Sequence, residues 1–194
     1  MNRIVAAFAF AFALIALLSS ASVVRAQAPE PTPTPDPMLY TDPAMNFLAP
    51  PGAVLVGRRE IDVRSLSDEL QVVARWALHP GKEDVRYIDI GMESFEANPS
   101  QWEGQFESQA HNQGDGVLVR NKTPMSLLNG MPATFVEVTY GNGFDARKQY
   151  AIVWADGLRG VVLSVTARIG EVSPEEARQL LHNATATRYP LGQP

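Results

Sequence analysis

The chain has 194 residues, a formal net charge of −5 and no cysteine. Without cysteine neither a disulfide framework nor an acylated lipoprotein anchor can form, so an ordinary hydrophobic core must hold the folded region together. The acidic balance repels phosphate backbones and anionic lipid, which argues against nucleic-acid binding and against a basic membrane-docking face.

Residues 1–26 have the pattern of a secretory signal peptide. Arg3 precedes an uninterrupted apolar run over 4–18, and small and polar residues follow this run. The run is shorter than the roughly 20 residues that a membrane-spanning helix needs, so we expect no stable membrane anchor after cleavage. The sequence therefore predicts Sec-dependent export to the periplasm or the cell exterior.

Two cleavage sites fit the small residues that signal peptidase prefers three and one positions before the cut. One lies after Ala26 and the other after Ala28. We favour cleavage after Ala26, because the alternative leaves Pro29 beside the scissile bond, where its fixed φ and missing N–H fit a protease poorly.

Proline occupies every second position from 29 to 37. Such a segment cannot donate a ladder of backbone hydrogen bonds, favours polyproline II and acts as a semi-rigid spacer. We therefore expect residues 27–43 to form a disordered linker and residues 44–194 to form a single α+β domain. A length of about 150 residues is enough for one hydrophobic core.

Period-two alternation of apolar and polar residues predicts an antiparallel sheet of about six strands. A short strand is expected at 53–56, and longer strands are expected at 70–78, 85–92, 116–121, 133–140, 148–154 and 160–169. In the first longer strand, one set of alternating positions consists of Leu70, Val72, Ala74, Trp76 and Leu78.

Two helices are expected to flank this sheet. Asn98 and Pro99 form an N-terminal helix signal, and Trp102, Phe106 and Ala110 follow at intervals of four on one face. The second helix begins with Ser173 as N-cap and carries a further apolar stripe. That stripe consists of Ala177, Leu180, Leu181 and Ala184.

This order of elements resembles the PsbP-like superfamily of small exported domains, which includes DcrB-type envelope proteins. The resemblance covers 45–189 and is carried by 47–52 (Phe-Leu-Ala-Pro-Pro-Gly), by the turn at 129–133 (Asn-Gly-Met-Pro-Ala) and by the closing helix. It implies an α/β/α sandwich around a curved antiparallel sheet and a role in binding or assembling partner proteins. Many bacterial members resemble lipoproteins, and the absence of cysteine sets this chain apart from them.

No residue pattern predicts a catalytic, cofactor-binding or metal-binding site. His79, His111 and His182 lack metal-ligand spacing, and no serine lies in a G-x-S-x-G elbow. The stretch 141–146 matches G-x-G-x-x-A, but strands are expected on both sides of it, which favours a hairpin turn over a dinucleotide loop. We therefore expect a protein that is not an enzyme and needs no cofactor.

We expect Trp102 and Phe106 to form the core contact of the first helix, and Trp76 and Trp154 to pack from strands of the sheet. The same four aromatic residues are the candidates for a groove between helix and sheet. The leading hypothesis is an exported, non-enzymatic protein-binding or assembly module of the cell envelope. A carrier of a small apolar ligand held in this groove is the alternative. A hydrolase whose residues meet only in three dimensions is the third hypothesis.

Overall fold

We describe residues 36–81, 85–96, 99–112, 116–141 and 146–189 of a computed structural model of the chain. The predicted signal peptide, most of the proline-rich segment, the Asn98 cap and residues 142–145 lie outside these ranges. The described residues form ten strands, two α-helices and a short 3-10 turn at Val63–Ser65. The strands are β1 (Leu39–Asp42), β2 (Met45–Leu48), β3 (Ala53–Arg58), β4 (Gln71–Leu78), β5 (Arg86–Ser94), β6 (Leu118–Ser126), β7 (Pro132–Tyr140), β8 (Arg147–Ala155), β9 (Arg159–Arg168) and β10 (Ala184–Ala186), and the helices are α1 (Pro99–Asn112) and α2 (Pro174–Leu181).

Seven of the strands form one antiparallel sheet with the order β3-β4-β5-β9-β8-β7-β6. Each predicted strand is present, with ends that differ from the prediction by a few residues. The fold class is therefore confirmed as α+β with a large antiparallel sheet and two helices. No helix among the described residues is long and apolar enough to cross a membrane.

A second, three-stranded sheet with the order β1-β2-β10 was not predicted. Strand β1 lies inside the segment expected to be linker, so the ordered structure begins before residue 44. Trp76 Nε1 donates to the Pro37 carbonyl oxygen at 2.9 Å, and this bond fixes the chain just after its last alternating proline. The strand ladder becomes possible at Leu39 because no proline lies between that residue and Asp42.

Alternate residues of the large sheet enter two separate cores. Along β8, Tyr150, Ile152 and Trp154 pack on one face, where α2 and the small sheet lie. On the opposite face, Ala151, Val153 and Ala155 pack with α1. The result is three layers, with α1 on one side of the sheet and α2 with the small sheet on the other.

The helix signals predicted from the sequence determine this packing. Trp102, Phe106 and Ala110 of α1 are all at most 3% exposed. At the start of α2, Ser173 Oγ accepts from the Glu176 backbone N–H at 3.1 Å, which confirms the predicted N-cap. Leu181 and Ala184 are fully buried, although Ala184 belongs to β10 rather than to the helix.

The alternation expected in β4 fails at one point. A bulge lies between Val72 and Ala74, so Val73 turns into the core and is 1% exposed, whereas Val72 is 41% exposed. A bulge adds one residue to one strand and so shifts the inward and outward positions on either side of it.

Gly160 provides a test of the contact between α1 and the sheet. A Cβ atom at this position would lie 2.5 Å from ring atoms of Trp102, which is fully buried. We expect Gly160→Ala to lower the free energy of unfolding by about 1–3 kcal/mol, because overpacking forces buried groups apart. Urea denaturation measures the change.

Gly104→Ala is the matched control. Gly104 lies on α1 itself, and a Cβ atom added there would meet open space, with no neighbouring atom within 4 Å. Alanine at this helical position should raise the free energy of unfolding by about 0.5–1 kcal/mol. Equal effects of the two substitutions would contradict the packing described for Trp102.

Candidate functional site

The four aromatic residues predicted to line a groove are not brought together. Trp76 and Trp154 lie in the core beside the small sheet, whereas Trp102 and Phe106 lie beneath α1 on the opposite face. All four are at most 3% exposed. The Trp102 ring packs against Phe95 and Phe106, with centroid distances of 5.2 and 6.4 Å. Packed side chains therefore fill the space where the groove was expected.

Each of the three histidines has only a local role in the structure. His111 Nδ1 and His182 Nδ1 each lie within 2.8 Å of a carbonyl oxygen in the same segment, and His79 is exposed in a turn with φ of 54°. Within the part of the chain that the structure describes, no group of three or more His, Asp or Glu residues could hold a metal ion.

A cavity of about 390 Å³ lies between the small sheet and the segment that follows β3. Its lining includes charged residues from distant parts of the chain. These residues are Asp42, Arg58, Arg59, Glu60, Asp62 and Arg159. A lining of this kind does not suit the small apolar ligand considered from the sequence.

A buried ion network forms one wall of this cavity. Arg159 Nε donates to Asp156 Oδ2 at 2.7 Å, and the terminal nitrogens of Arg159 donate to both carboxylate oxygens of Asp42 at 2.8 and 3.2 Å. The backbone N–H groups of Leu158 and Arg159 donate to Asp156 Oδ1. The side chain of Asp156 is fully buried, so its charge depends on this set of donors.

Two tyrosines extend the network. Tyr40 donates its hydroxyl to Asp42 Oδ2 at 3.2 Å, and burial, reinforced by the Asp42 carboxylate, raises the pKa of Tyr40. The ring of Tyr189 lies 5.0 Å from Arg159 Cζ, and its backbone N–H donates to the Asp156 carbonyl oxygen. These bonds join β1, the β8–β9 turn and the C-terminal segment, so we interpret the network as a structural tie.

A second buried carboxylate lies under α1. Glu93 of β5 is fully buried and accepts from Gln105 Nε2 at 2.5 Å and from Gln109 Nε2 at 2.6 Å. Burial raises the pKa of Glu93; the two amide donors oppose this rise, and the nearby Asp68 carboxylate adds to it. This cluster is enclosed between helix and sheet, and its contacts make it part of the α1 packing.

The outer edge of β3 has the character of a binding surface. Val54 and Val56 are 49% and 58% exposed, and Val72 of the neighbouring strand is also exposed. Arg58 and Arg59 follow at the end of the strand. We call these five residues the β3 edge surface. No described strand pairs with its outer side.

The cations of the β3 edge surface have no carboxylate partner among the described residues. Arg58 donates to the carbonyl oxygens of Leu39 and Thr41 at 2.9 and 3.3 Å, and no described ion pair includes Arg58 or Arg59. A shallow cavity of about 370 Å³ lies here, lined by valines, a glycine, an alanine and three arginines, with no acidic residue. The third arginine, Arg75, is paired with Asp89 at 2.7 Å.

The opposite edge of the large sheet, β6, carries features that block pairing with a further strand. It contains Lys122 and Pro124, and a bulge between Arg120 and Thr123 interrupts it. Lys122 Nζ is held by Glu103 and Glu107 of α1 at 3.1 and 2.9 Å. Lysine, proline and bulges are the features by which natural sheets block pairing at an edge. Strand β3 has a bulge but contains neither lysine nor proline.

The sequence predicted no functional role for the residues of the ion network or of the β3 edge surface. Asp42 and Arg159 are 117 positions apart, and no local pattern links them. The exposed valines could have been suspected only if the position of β3 at an edge had been known.

No protein-family profile matches the chain, and no curated protein matches it. Among solved structures, the fold is similar to that of LpqN, described as involved in cell envelope biogenesis of Mycobacterium tuberculosis. The TM-score is 0.51 and the sequence identity is 16%, and the match covers 75% of this chain and 86% of LpqN. At this identity the comparison establishes a shared fold.

Replacing Arg159 tests whether the ion network is a structural tie. We expect Arg159→Met to lower the free energy of unfolding by about 3–5 kcal/mol, because it leaves the buried Asp156 charge unpaired. Adding Asp156→Asn should recover part of this loss. The exposed Arg64→Met serves as control, with an expected change within about 0.5 kcal/mol. A change below about 1 kcal/mol for Arg159→Met would contradict the tie.

The Glu93 cluster predicts a specific pH dependence. Because the pKa of Glu93 is raised in the folded state, the native protein binds more protons than the unfolded chain as pH rises above the ordinary glutamate pKa. Ionisation of Glu93 therefore lowers stability toward neutral pH. The stability of Glu93→Gln relative to the natural protein should increase between pH 4 and 7, measured by urea denaturation. The exposed Glu96→Gln is the control, and a pH-independent difference for Glu93→Gln would contradict the assignment.

Proposed function

We propose that this chain is an exported, non-enzymatic protein-binding or assembly module of the cell envelope. Its signal-peptide pattern supports export, and its fold is one that a protein involved in envelope biogenesis also has. We further propose a distant relationship to the PsbP-like superfamily, based on the motifs at 47–52 and 129–133.

The observation that carries this proposal is the β3 edge surface. It combines a strand whose outer side has no described partner strand, exposed valines, and arginines without a carboxylate partner among the described residues. The unpaired outer side of β3 and the exposed valines favour aggregation if the surface always faces water, and together with the arginines they suit a surface that a protein partner covers. The protected β6 edge provides an internal comparison within the same sheet.

Neither alternative function receives comparable support. A carrier of a small apolar ligand needs an apolar cavity, whereas the aromatic side chains are packed and the cavity beside the small sheet is charged. A hydrolase needs converging acid, base or nucleophilic groups, and the Asp42 and Asp156 carboxylates are already bonded to Arg159.

Site-specific cross-linking tests the proposed function in the organism that produces the protein. A photo-reactive p-benzoylphenylalanine replaces Val56, and in a parallel variant it replaces Leu118, which is similarly exposed on the β6 edge. We expect one recurrent protein adduct at Val56 and none at Leu118, because the lysine, proline and bulge of β6 block pairing at that edge. Gel shift and mass spectrometry identify the adduct.

Two results would contradict the proposal. One is the absence of any protein adduct at Val56 while the variant is folded and exported. The other is the same set of adducts at both positions, which would indicate non-specific contact rather than a binding surface.

A further inference from the structure

We propose that the partner binds by adding an extended segment to β3 as an eighth strand of the large sheet, and that this segment carries aliphatic side chains together with carboxylates. The inference rests on the proposed function and specifies its binding mode and the chemistry of the partner.

The backbone of β3 supplies the first argument. In an antiparallel sheet, the outermost strand presents a row of unpaired N–H and C=O groups on its outer side. Strand β3 has six residues, so this row is about 20 Å long, with a bulge between Leu55 and Gly57. Main-chain hydrogen bonds to such an edge provide affinity for an extended peptide, and side-chain contacts provide its specificity.

The exposed side chains supply the second argument. Val54 and Val56 are about half exposed, and Val72 lies on the adjacent strand. Cross-strand pairs of β-branched residues stabilise sheets by about 0.2–1 kcal/mol each. An incoming strand with valine, isoleucine or threonine would pair with Val54 and Val56 of β3, so the partner segment is expected to contain such residues.

Charge supplies the third argument. The shallow cavity beside β3 is lined by Arg58, Arg59 and Arg75 and by no acidic residue, and because Arg75 is paired with Asp89, the positive charge without a carboxylate partner comes from Arg58 and Arg59. Arg59 is exposed and outside every described ion pair. Opposite charges across strands are favourable and like charges are unfavourable, so the partner segment should place carboxylates near Arg59.

The same charge argues against a second copy of this chain as the occupant. Symmetric antiparallel pairing of β3 with β3 would cover Val56, which is 58% exposed, but it would place Arg58 opposite Ala53. Because β3 contains no acidic residue, the strand of a second copy would bring no carboxylate to the arginines. A different protein with an acidic, aliphatic segment satisfies both the valines and the arginines.

Nuclear magnetic resonance of the full mature protein tests the inference with two defined probes. One is an acetylated, amidated eight-residue peptide of alternating glutamate and valine, and the other replaces each glutamate with lysine. We expect the glutamate–valine peptide to shift the backbone amides of 53–58 and to leave those of 118–126 unchanged. The lysine–valine peptide should bind at least tenfold more weakly.

Arg59→Glu is the matched variant for the charge argument. Arg59 is exposed, so the fold should be retained, whereas Arg58 is left intact because it contacts β1. We expect at least a tenfold loss of affinity for the glutamate–valine peptide. Arg120→Glu, an exposed arginine on β6, should leave the affinity unchanged. N-methylation of alternate peptide amides should abolish binding in one of the two alternation registers, because only one set faces β3.

The outcomes separate this inference from the proposed function. Three outcomes would overturn strand addition. The first is peptide binding without a shift of the amides of 53–58, and the second is binding that survives N-methylation in both registers. The third is that neither peptide binds. If strand addition is overturned but cross-linking at Val56 still yields one specific partner, the proposed protein-binding function stands and only the proposed binding mode is wrong. Concentration-dependent self-association through β3 would also overturn the choice of a different protein as occupant.

Discussion

The pairing of Arg159 with Asp42 and Asp156 constrains the chain more than any other interaction. A buried guanidinium and a buried carboxylate are stable only when each has its full set of partners. Here those partners come from β1, from the turn between β8 and β9 and, through Tyr189, from the C-terminal segment. The small sheet is thus held against the large one. Because β1 is fixed, its carbonyl oxygens at Leu39 and Thr41 can anchor Arg58 at the end of β3.

The open edge follows from the dimensions of the layers. Seven strands about 4.8 Å apart span roughly 29 Å, whereas a helix with its side chains is about 10–12 Å wide. Helix α1 packs on β6, β7 and β8 and reaches β5 through Glu93. Helix α1 leaves β3 uncovered on the face of the sheet where α1 lies. Val54 points to that face, because its neighbours Ala53 and Leu55 pack in the core on the other face. One helix cannot cover both ends of the sheet, and the covered end is the one with the protected edge.

The large sheet and both helices could be predicted because their signals are local. Strands of eight to ten residues are long enough for alternation to identify them even where a bulge interrupts it, as in β4, and Ser173 and Pro174 mark the start of α2 within two positions. The small sheet could not be predicted in this way, because strands of three or four residues are shorter than the pattern that identifies a strand. The bulge at Val73 shifts the alternation without any distinctive residue.

The candidate site was beyond prediction for a different reason. Alternation shows which residues of one strand share a face, but it does not show which face a helix covers, so Trp76 and Trp102 were assigned to one groove although they lie on opposite sides. Likewise, Val56 differs from a core valine only because strand order places β3 at the edge. Pairing between Asp42 and Arg159 depends on the complete topology.

The central claim, that a partner binds at the β3 edge, is tested most directly by amide hydrogen exchange across the whole large sheet. Exchange is compared between the protein alone and the protein bound to the partner captured at Val56. The account predicts that binding slows exchange at 53–58 and leaves 118–126 unchanged, because new main-chain hydrogen bonds form only at the β3 edge. The account would be contradicted if binding slowed exchange at the β6 edge. It would also be contradicted if binding slowed exchange around the charged cavity and left exchange at β3 unchanged.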